Sequence, residues 1–139
     1  MGDTAHPNIF PSLHYQDASA AIEWLTSAFG FEEKAVYRGE DGVVHHAELR
    51  LGAGLIMLGQ QRADGWMGDR TLDPLTSPLG IYVVVADPDA HHARAKAAGA
   101  EIVRELTDQA YGGRDYSVRD VEGNLWSFGS YDPYVPASK

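Results

Sequence analysis

A stretch near the end of the chain, Asp115 to Gly129 (DYSVRDVEGNLWSFG), has a counterpart earlier, His45 to Gly59 (HHAELRLGAGLIMLG). Leu55 and Leu125, Leu58 and Phe128, and Gly59 and Gly129 each lie 70 positions apart. The later copy reads as a β-hairpin. Arg114 to Arg119 alternates polar and apolar residues, Asp120, Glu122, Gly123 and Asn124 carry turn chemistry, and Leu125 to Gly129 is an aromatic-rich strand. Upstream, Asp17 and Asp87 open helical patterns at the same spacing, and Gly30 and Gly99 close them after a slip of one residue. Helix start, helix stop and closing hairpin recur in one order. That predicts an α+β chain of two copies of strand, helix, strand, strand, strand.

Taken in order, Asn8 to Gln16 reads as a first strand, and Ala18 to Phe29 as a helix with Ala21, Ile22, Leu25, Ala28 and Phe29 on one face. Strands follow at Glu32 to Arg38, Val43 to Leu51 and Leu55 to Gln60, so residues 8–60 form the first module. Residues 61–79 lack periodicity and contain Trp66; they read as a linker or a lid, with Trp66 either pinning the loop to the core or lining a cavity. The second module, residues 80–131, opens with GIYVVVA, an apolar run suited to a strand buried on both faces. Asp87 and Pro88 then begin a helix. Its Ala90, Ala93, Ala97 and Ala98 predict a small-residue packing face, and its adjacent His91 and His92 read as solvent-facing.

The chain has 139 residues, enough for one domain with a core of its own, and no cysteine, which removes disulfides and thiolate chemistry. A net charge of −9 with scattered cations argues against a nucleic-acid partner. No run approaches the roughly 20 apolar residues of a membrane helix, and the first residues carry no secretory pattern. A cytoplasmic protein without a membrane partner is expected.

Two βαβββ copies resemble the vicinal oxygen chelate superfamily, which includes glyoxalase I, bleomycin-resistance proteins and extradiol dioxygenases. Asp17 to Gly30, His46 to Leu58, Val85 to Gly99 and Asp115 to Gly129 carry the likeness, VRDVEGNLWSFG most specifically. The resemblance implies that each sheet curls into a cup, that the two cups enclose a cavity for a small molecule, and that the protein forms a homodimer. In metal-dependent members, His, Glu or Gln side chains from the first and last strands of each copy hold a divalent ion. Mapped onto this sequence, those positions fall on Phe10, Met57, Ile81 and Ser127, none a usual ligand. No metal cofactor and no catalytic residue are therefore assigned.

What remains is a binding wall of Phe10, Ser12, His14, His46, Met57, Trp66, Ile81, Val83 and Ser127. Apolar surface with a few polar groups suits an aromatic or amphipathic ligand, as in the metal-free resistance branch of the superfamily. A dimerisation or structural domain with a collapsed cavity is one further reading, and two chemical alternatives stay open. His14, His46 and Glu48 could form an off-pattern metal site serving a lyase, isomerase or dioxygenase, or His14 or His46 could act as a general base without metal.

Overall fold

The computed structural model describes residues 7–61 and 79–135, and the chain divides into two units, Met1–Leu72 and Asp73–Lys139. The first contains β1 (Ser12–Tyr15), α1 (Ala18–Trp24), β2 (Glu32–Arg38), β3 (Val44–Leu51) and β4 (Gly54–Gln60). The second contains β5 (Ile81–Val84), α2 (Pro88–Ala97), β6 (Glu101–Asp108), β7 (Arg114–Arg119) and β8 (Leu125–Gly129). Each unit is a four-stranded sheet, ordered β1-β4-β3-β2 or β5-β8-β7-β6. The first strand runs parallel to the last, and the other neighbours are antiparallel. The two βαβββ modules expected from the repeat are present.

Helix starts are fixed by the two aspartates. Asp17 accepts a hydrogen bond from the Ala20 amide, and Asp87 accepts one from the Ala90 amide, both at 3.1 Å. Each side chain satisfies a donor that the first helical turn leaves without a partner. Gly30 and Gly99 stop the helical segments at φ 87° and 88°, a conformation that costs a residue with a Cβ and not glycine. Between cap and stop, the first module departs from a simple helix. After Trp24 the chain widens into a π-helical turn, Leu25–Phe29. Leu25, Ala28 and Phe29 stay buried with Ala18, Ala21 and Ile22.

The first strand is shorter than its composition suggests. Pro11 has no amide proton to give a ladder, and pairing begins at Ser12, while the Pro11 carbonyl accepts from Met57. β5 is likewise limited to Ile81–Val84, and it is not buried on both faces: Tyr82 and Val84 are exposed. Among the described residues it pairs only with β8, at the edge of its sheet.

The packing face of α2 also differs from expectation. Ala90, Ala93, Ala97 and Ala98 are exposed, whereas Pro88 and Ala95 are buried and both histidines are partly covered. His91 stacks on Phe128 with ring centroids 4.0 Å apart, and its Nδ1 is 2.6 Å from the Tyr116 hydroxyl. His92 meets Tyr116 edge-on and reaches Glu105 at 2.8 Å. Large aromatic surface outweighs the alanines as a packing partner.

A last difference concerns the spacing of the repeat. Arg50 pairs with Leu55, but Arg119 pairs with Leu125, so the second hairpin turn is one residue longer. The 70-residue spacing therefore holds for the closing strands and slips by one in the strand before. His46 corresponds to Asp115, and Glu48 to Ser117. Asp120 occupies the added length. It accepts from the amides of Glu122 and Asn124, from Asn124 Nδ2 and from Trp126 Nε1.

Candidate functional site

Residues paired across neighbouring strands project from the same face of a sheet. In the first unit the registers place Ser12, Met57, Glu48 and Ala35 in one row across all four strands. In the second they place Tyr82, Ser127, Ser117 and Arg104 in the equivalent row. The neighbouring row in the second unit, Ile81, Trp126 and Val118, belongs to the opposite face, with Val83, Phe128 and Tyr116 beside it. That opposite face is the one α2 covers, because His91 stacks on Phe128. In the first unit, Leu13, Tyr15, Ile56, Leu58, Ala47 and Leu49 hold the corresponding positions, and all but Leu13 are buried. Both polar rows thus lie on the face away from the helix of their own unit.

Of the residues expected to line a binding wall, Ser12, His14, Met57 and His46 share the outer face of the first sheet, and Ser127 that of the second. Phe10 precedes β1 and is 37% exposed. Ile81 and Val83 require a correction. They pair with Trp126 and Phe128, so they project to the helix side, and Tyr82 and Val84 take the outer positions. The error is one residue of register, which in a strand exchanges the two faces. Trp66 and most of the 61–79 segment lie outside the described residues.

On the outer face of the first unit, His46 Nε2 is 3.0 Å from Glu48 Oε2, and Lys34 Nζ donates to Glu48 Oε1 at 3.2 Å. His46 also stacks on Tyr37. The hydrogen bond from His46, and then that from Lys34, hold the Glu48 carboxyl below its ordinary value. The second unit carries a more buried network. Asp115 Oδ1 accepts from Arg104 NH1 at 2.8 Å and from Gln109 Nε2 at 2.9 Å. Arg104 NH2 donates to Ser117 Oγ at 3.2 Å, and Ser117 Oγ lies 2.8 Å from Ser127 Oγ. Asp115 and Ser117 are both buried, and Tyr82 donates to the Tyr131 carbonyl at 2.6 Å. Gly129 admits this arrangement: a methyl group there would meet Asp115 Cβ at 2.6 Å and the Tyr82 hydroxyl at 2.8 Å.

Burial alone would raise the Asp115 carboxyl. Hydrogen bonds from Gln109 and Arg104, the Arg104 charge and the Tyr111 hydroxyl outweigh it and leave Asp115 below its ordinary value of 3.8. A carboxyl whose folded value is depressed stabilises the fold above the unfolded value and loses that contribution as pH falls through the folded one. Wild type is therefore expected to lose stability more steeply than Asp115→Asn below about pH 4. Urea midpoints measured from pH 7 downward check this, and parallel curves for the two proteins would contradict it.

Among these residues Arg104, Gln109, Asp115, Ser117 and Tyr82 were not marked in the sequence as a site. Asp115 and Ser117 could have been found from strand alternation, since both sit on the same parity as Ser127 across the hairpin. Arg104 could not. Ile102 pairs with Val118, and regular pairing would set Arg104 opposite Tyr116, but the register shifts and sets it opposite Ser117. A β-bulge re-aims the arginine to the outer face.

The donor chemistry tests whether a divalent ion suits either face. On the first and last strands the two rows hold Ser12 and Met57 in the first unit and Tyr82 and Ser127 in the second: three hydroxyls and a thioether. These do not make the imidazole and carboxylate set that such an ion takes. Of the other set, His14, His46 and Glu48, His46 and Glu48 are in contact, and Glu48 also serves Lys34. Among the described residues no group of three or more His, Cys, Asp or Glu is arranged to hold a metal, and no helix is long and apolar enough to cross a membrane.

Comparison with known proteins gives a consistent result. Residues 10–128 match the sequence model of the Glyoxalase/Bleomycin resistance protein/Dioxygenase superfamily. The chain is 34% identical over 132 residues to the uncharacterized protein Mb0911c of Mycobacterium bovis, covering 93% of this chain and 86% of that one. It is 35% identical over 136 residues to the uncharacterized protein Rv0887c of Mycobacterium tuberculosis, covering 93% and 79%. Among solved structures, TioX from Micromonospora sp. ML1 superposes with a TM-score of 0.72 at 32% identity, covering 95% of this chain and all of that one. A glyoxalase/bleomycin resistance protein/dioxygenase family enzyme from Burkholderia phytofirmans PsJN has a TM-score of 0.69 at 19% identity, covering 86% and 94%; at that identity it supports the fold alone.

Proposed function

The chain belongs to the glyoxalase/bleomycin resistance protein/dioxygenase superfamily, and from that premise we propose that it is a binding protein that captures an aromatic or amphipathic small molecule without a metal ion. One observation carries the reading, made in each unit by itself: the row across the sheet presents Ser12 and Met57 from the first and last strands of the first unit, and Tyr82 and Ser127 from those of the second. A thioether and a phenol ring offer polarisable apolar surface, and the serines offer hydrogen bonds. Such a set suits sequestration better than polarisation of a substrate oxygen.

A metal-dependent lyase, isomerase or dioxygenase is the weaker reading, because His46 and Glu48 supply two donors where three protein ligands are usual. The proposed working form is a homodimer, as the resemblance implies, in the cytoplasm. Light scattering is expected to give a mass near twice the 15.1 kDa chain.

A thermal-shift screen tests the proposal, using aromatic and amphipathic compounds beside Ni, Zn, Mn and Fe salts. A ligand that binds only the folded state at about 100 times its Kd adds about 2.7 kcal/mol of stability. Saturable stabilisation by an aromatic compound, undiminished by EDTA and reduced in Met57→Ala, is expected. Stabilisation confined to one metal ion and lost in His46→Ala would return the protein to the metal-dependent branch.

A further inference from the structure

Arg104 is held at one edge only. Its guanidinium gives one N–H to Asp115 and one to Ser117, and among the described residues no other group accepts from it. A guanidinium carries five N–H donors, so three are left over, on a side chain that is 42% exposed. Its anchor is firm: the Asp115 side chain is only 7% exposed and is held in turn by Gln109. The bulge in β6 places this donor group on the outer face of the second sheet, in one row with Ser117, Ser127 and Tyr82. Two exposed tyrosines share its surroundings: Tyr82 stands at the far end of the same row, on β5, and the hydroxyl of Tyr111 hydrogen-bonds to Asp115, the partner of Arg104. The equivalent position in the first unit is Ala35, which has no donor to offer.

We propose that Arg104 is the polar anchor of the ligand site, and that the ligand is a planar aromatic molecule bearing an uncharged acceptor oxygen, such as an aromatic amide or ketone. This rests on the small-molecule reading above and specifies its substrate class. The acceptor is neutral because Asp115 already compensates the guanidinium charge and the chain carries a net charge of −9; an added anion would sit near a buried carboxylate. The aromatic part follows from the exposed rings of Tyr82, on the same face, and Tyr111, whose hydroxyl reaches Asp115, while the guanidinium contributes its donating edge.

Three probes on one nucleus test this: 2-naphthamide, 2-naphthoate and 2-ethylnaphthalene, each titrated by calorimetry against wild type, Arg104→Ala and Arg104→Lys. For wild type, the amide is expected to bind about tenfold tighter than the ethyl compound, a difference of about 1.4 kcal/mol. That advantage is expected to vanish in Arg104→Ala and to fall sharply in Arg104→Lys, which keeps the charge and loses the planar fork. Affinity for 2-ethylnaphthalene is expected to stay the same in all three, which a general collapse of the fold would not permit. Equal binding of amide and ethyl compound by wild type, or an amide preference that survives Arg104→Ala, removes Arg104 as the anchor while leaving aromatic capture standing. Tighter binding of the carboxylate overturns the neutral-acceptor assignment. Failure of wild type to bind any of the three overturns both readings.

Discussion

Trp126→Ala is expected to lower the unfolding free energy by about 3–5 kcal/mol, the range for removing a large aromatic from a packed core. Trp126 is fully buried, lies parallel to Phe128 with centroids 6.0 Å apart, and is paired in register with both Ile81 and Val118. Its truncation opens a cavity between the first and third strands of the second sheet and removes the donor to Asp120 Oδ2. Because a domain of this size has only about 5–15 kcal/mol to lose, the second unit is expected to melt well before the wild type does. Chemical denaturation followed by far-UV circular dichroism measures the effect. A loss below about 1 kcal/mol would mean that the site refills from its neighbours and that Trp126 does not organise this core.

Asp120→Ala is expected to cost about 2–4 kcal/mol, although it removes a side chain from a turn. The carboxylate accepts from two backbone amides, one side-chain amide and an indole, and it is buried. Alanine leaves these donors without an acceptor, and a buried unsatisfied donor costs about 1–3 kcal/mol; water at the turn offsets part of the sum. Asp120→Asn retains one acceptor oxygen and is expected to lose less. The interaction with the indole can be isolated: a double-mutant cycle of Asp120→Ala with Trp126→Phe is expected to give a coupling of about 1 kcal/mol. Additive losses would show that the turn and the core strand are held independently.

The role of Asp120 also marks the limit of the sequence reading. Turn residues, helix caps and helix stops were legible, because Asp17, Asp87, Gly30 and Gly99 act on their immediate neighbours. The hairpins were legible too, since alternation is a local property. Strand register was not. Whether Ile81 or Tyr82 shares a face with Ser127 depends on where β5 meets β8, and both residues are apolar enough to serve on either side. The buried face of α2 was misread because small residues suggest close approach, whereas His91 and His92 found aromatic partners that come from a distant part of the chain. Of the residues expected to line a site, Ser12, His14, Met57 and His46 lie on the outer face of the first sheet and Ser127 on that of the second. Arg104 joins Asp115 and Ser117 only through an irregular backbone in β6, which composition does not encode.

That irregularity occurs twice. In the first sheet Glu33 pairs with Leu49 and Ala35 with Glu48; in the second Ile102 pairs with Val118 and Arg104 with Ser117. Each second strand thus accommodates one additional residue, Lys34 or Val103, at the same place. Both halves of the duplicated chain share the backbone device and differ in what it displays, alanine in one and arginine in the other. The duplication therefore separates scaffold from chemistry. A substitution at position 35 or 104 changes the group presented, whereas deleting Lys34 or Val103 would turn that group toward the helix without changing it. For redesign, this makes strand length a lever as direct as residue identity: grafting Arg104 chemistry onto the first sheet takes Ala35→Arg with Lys34 left in place.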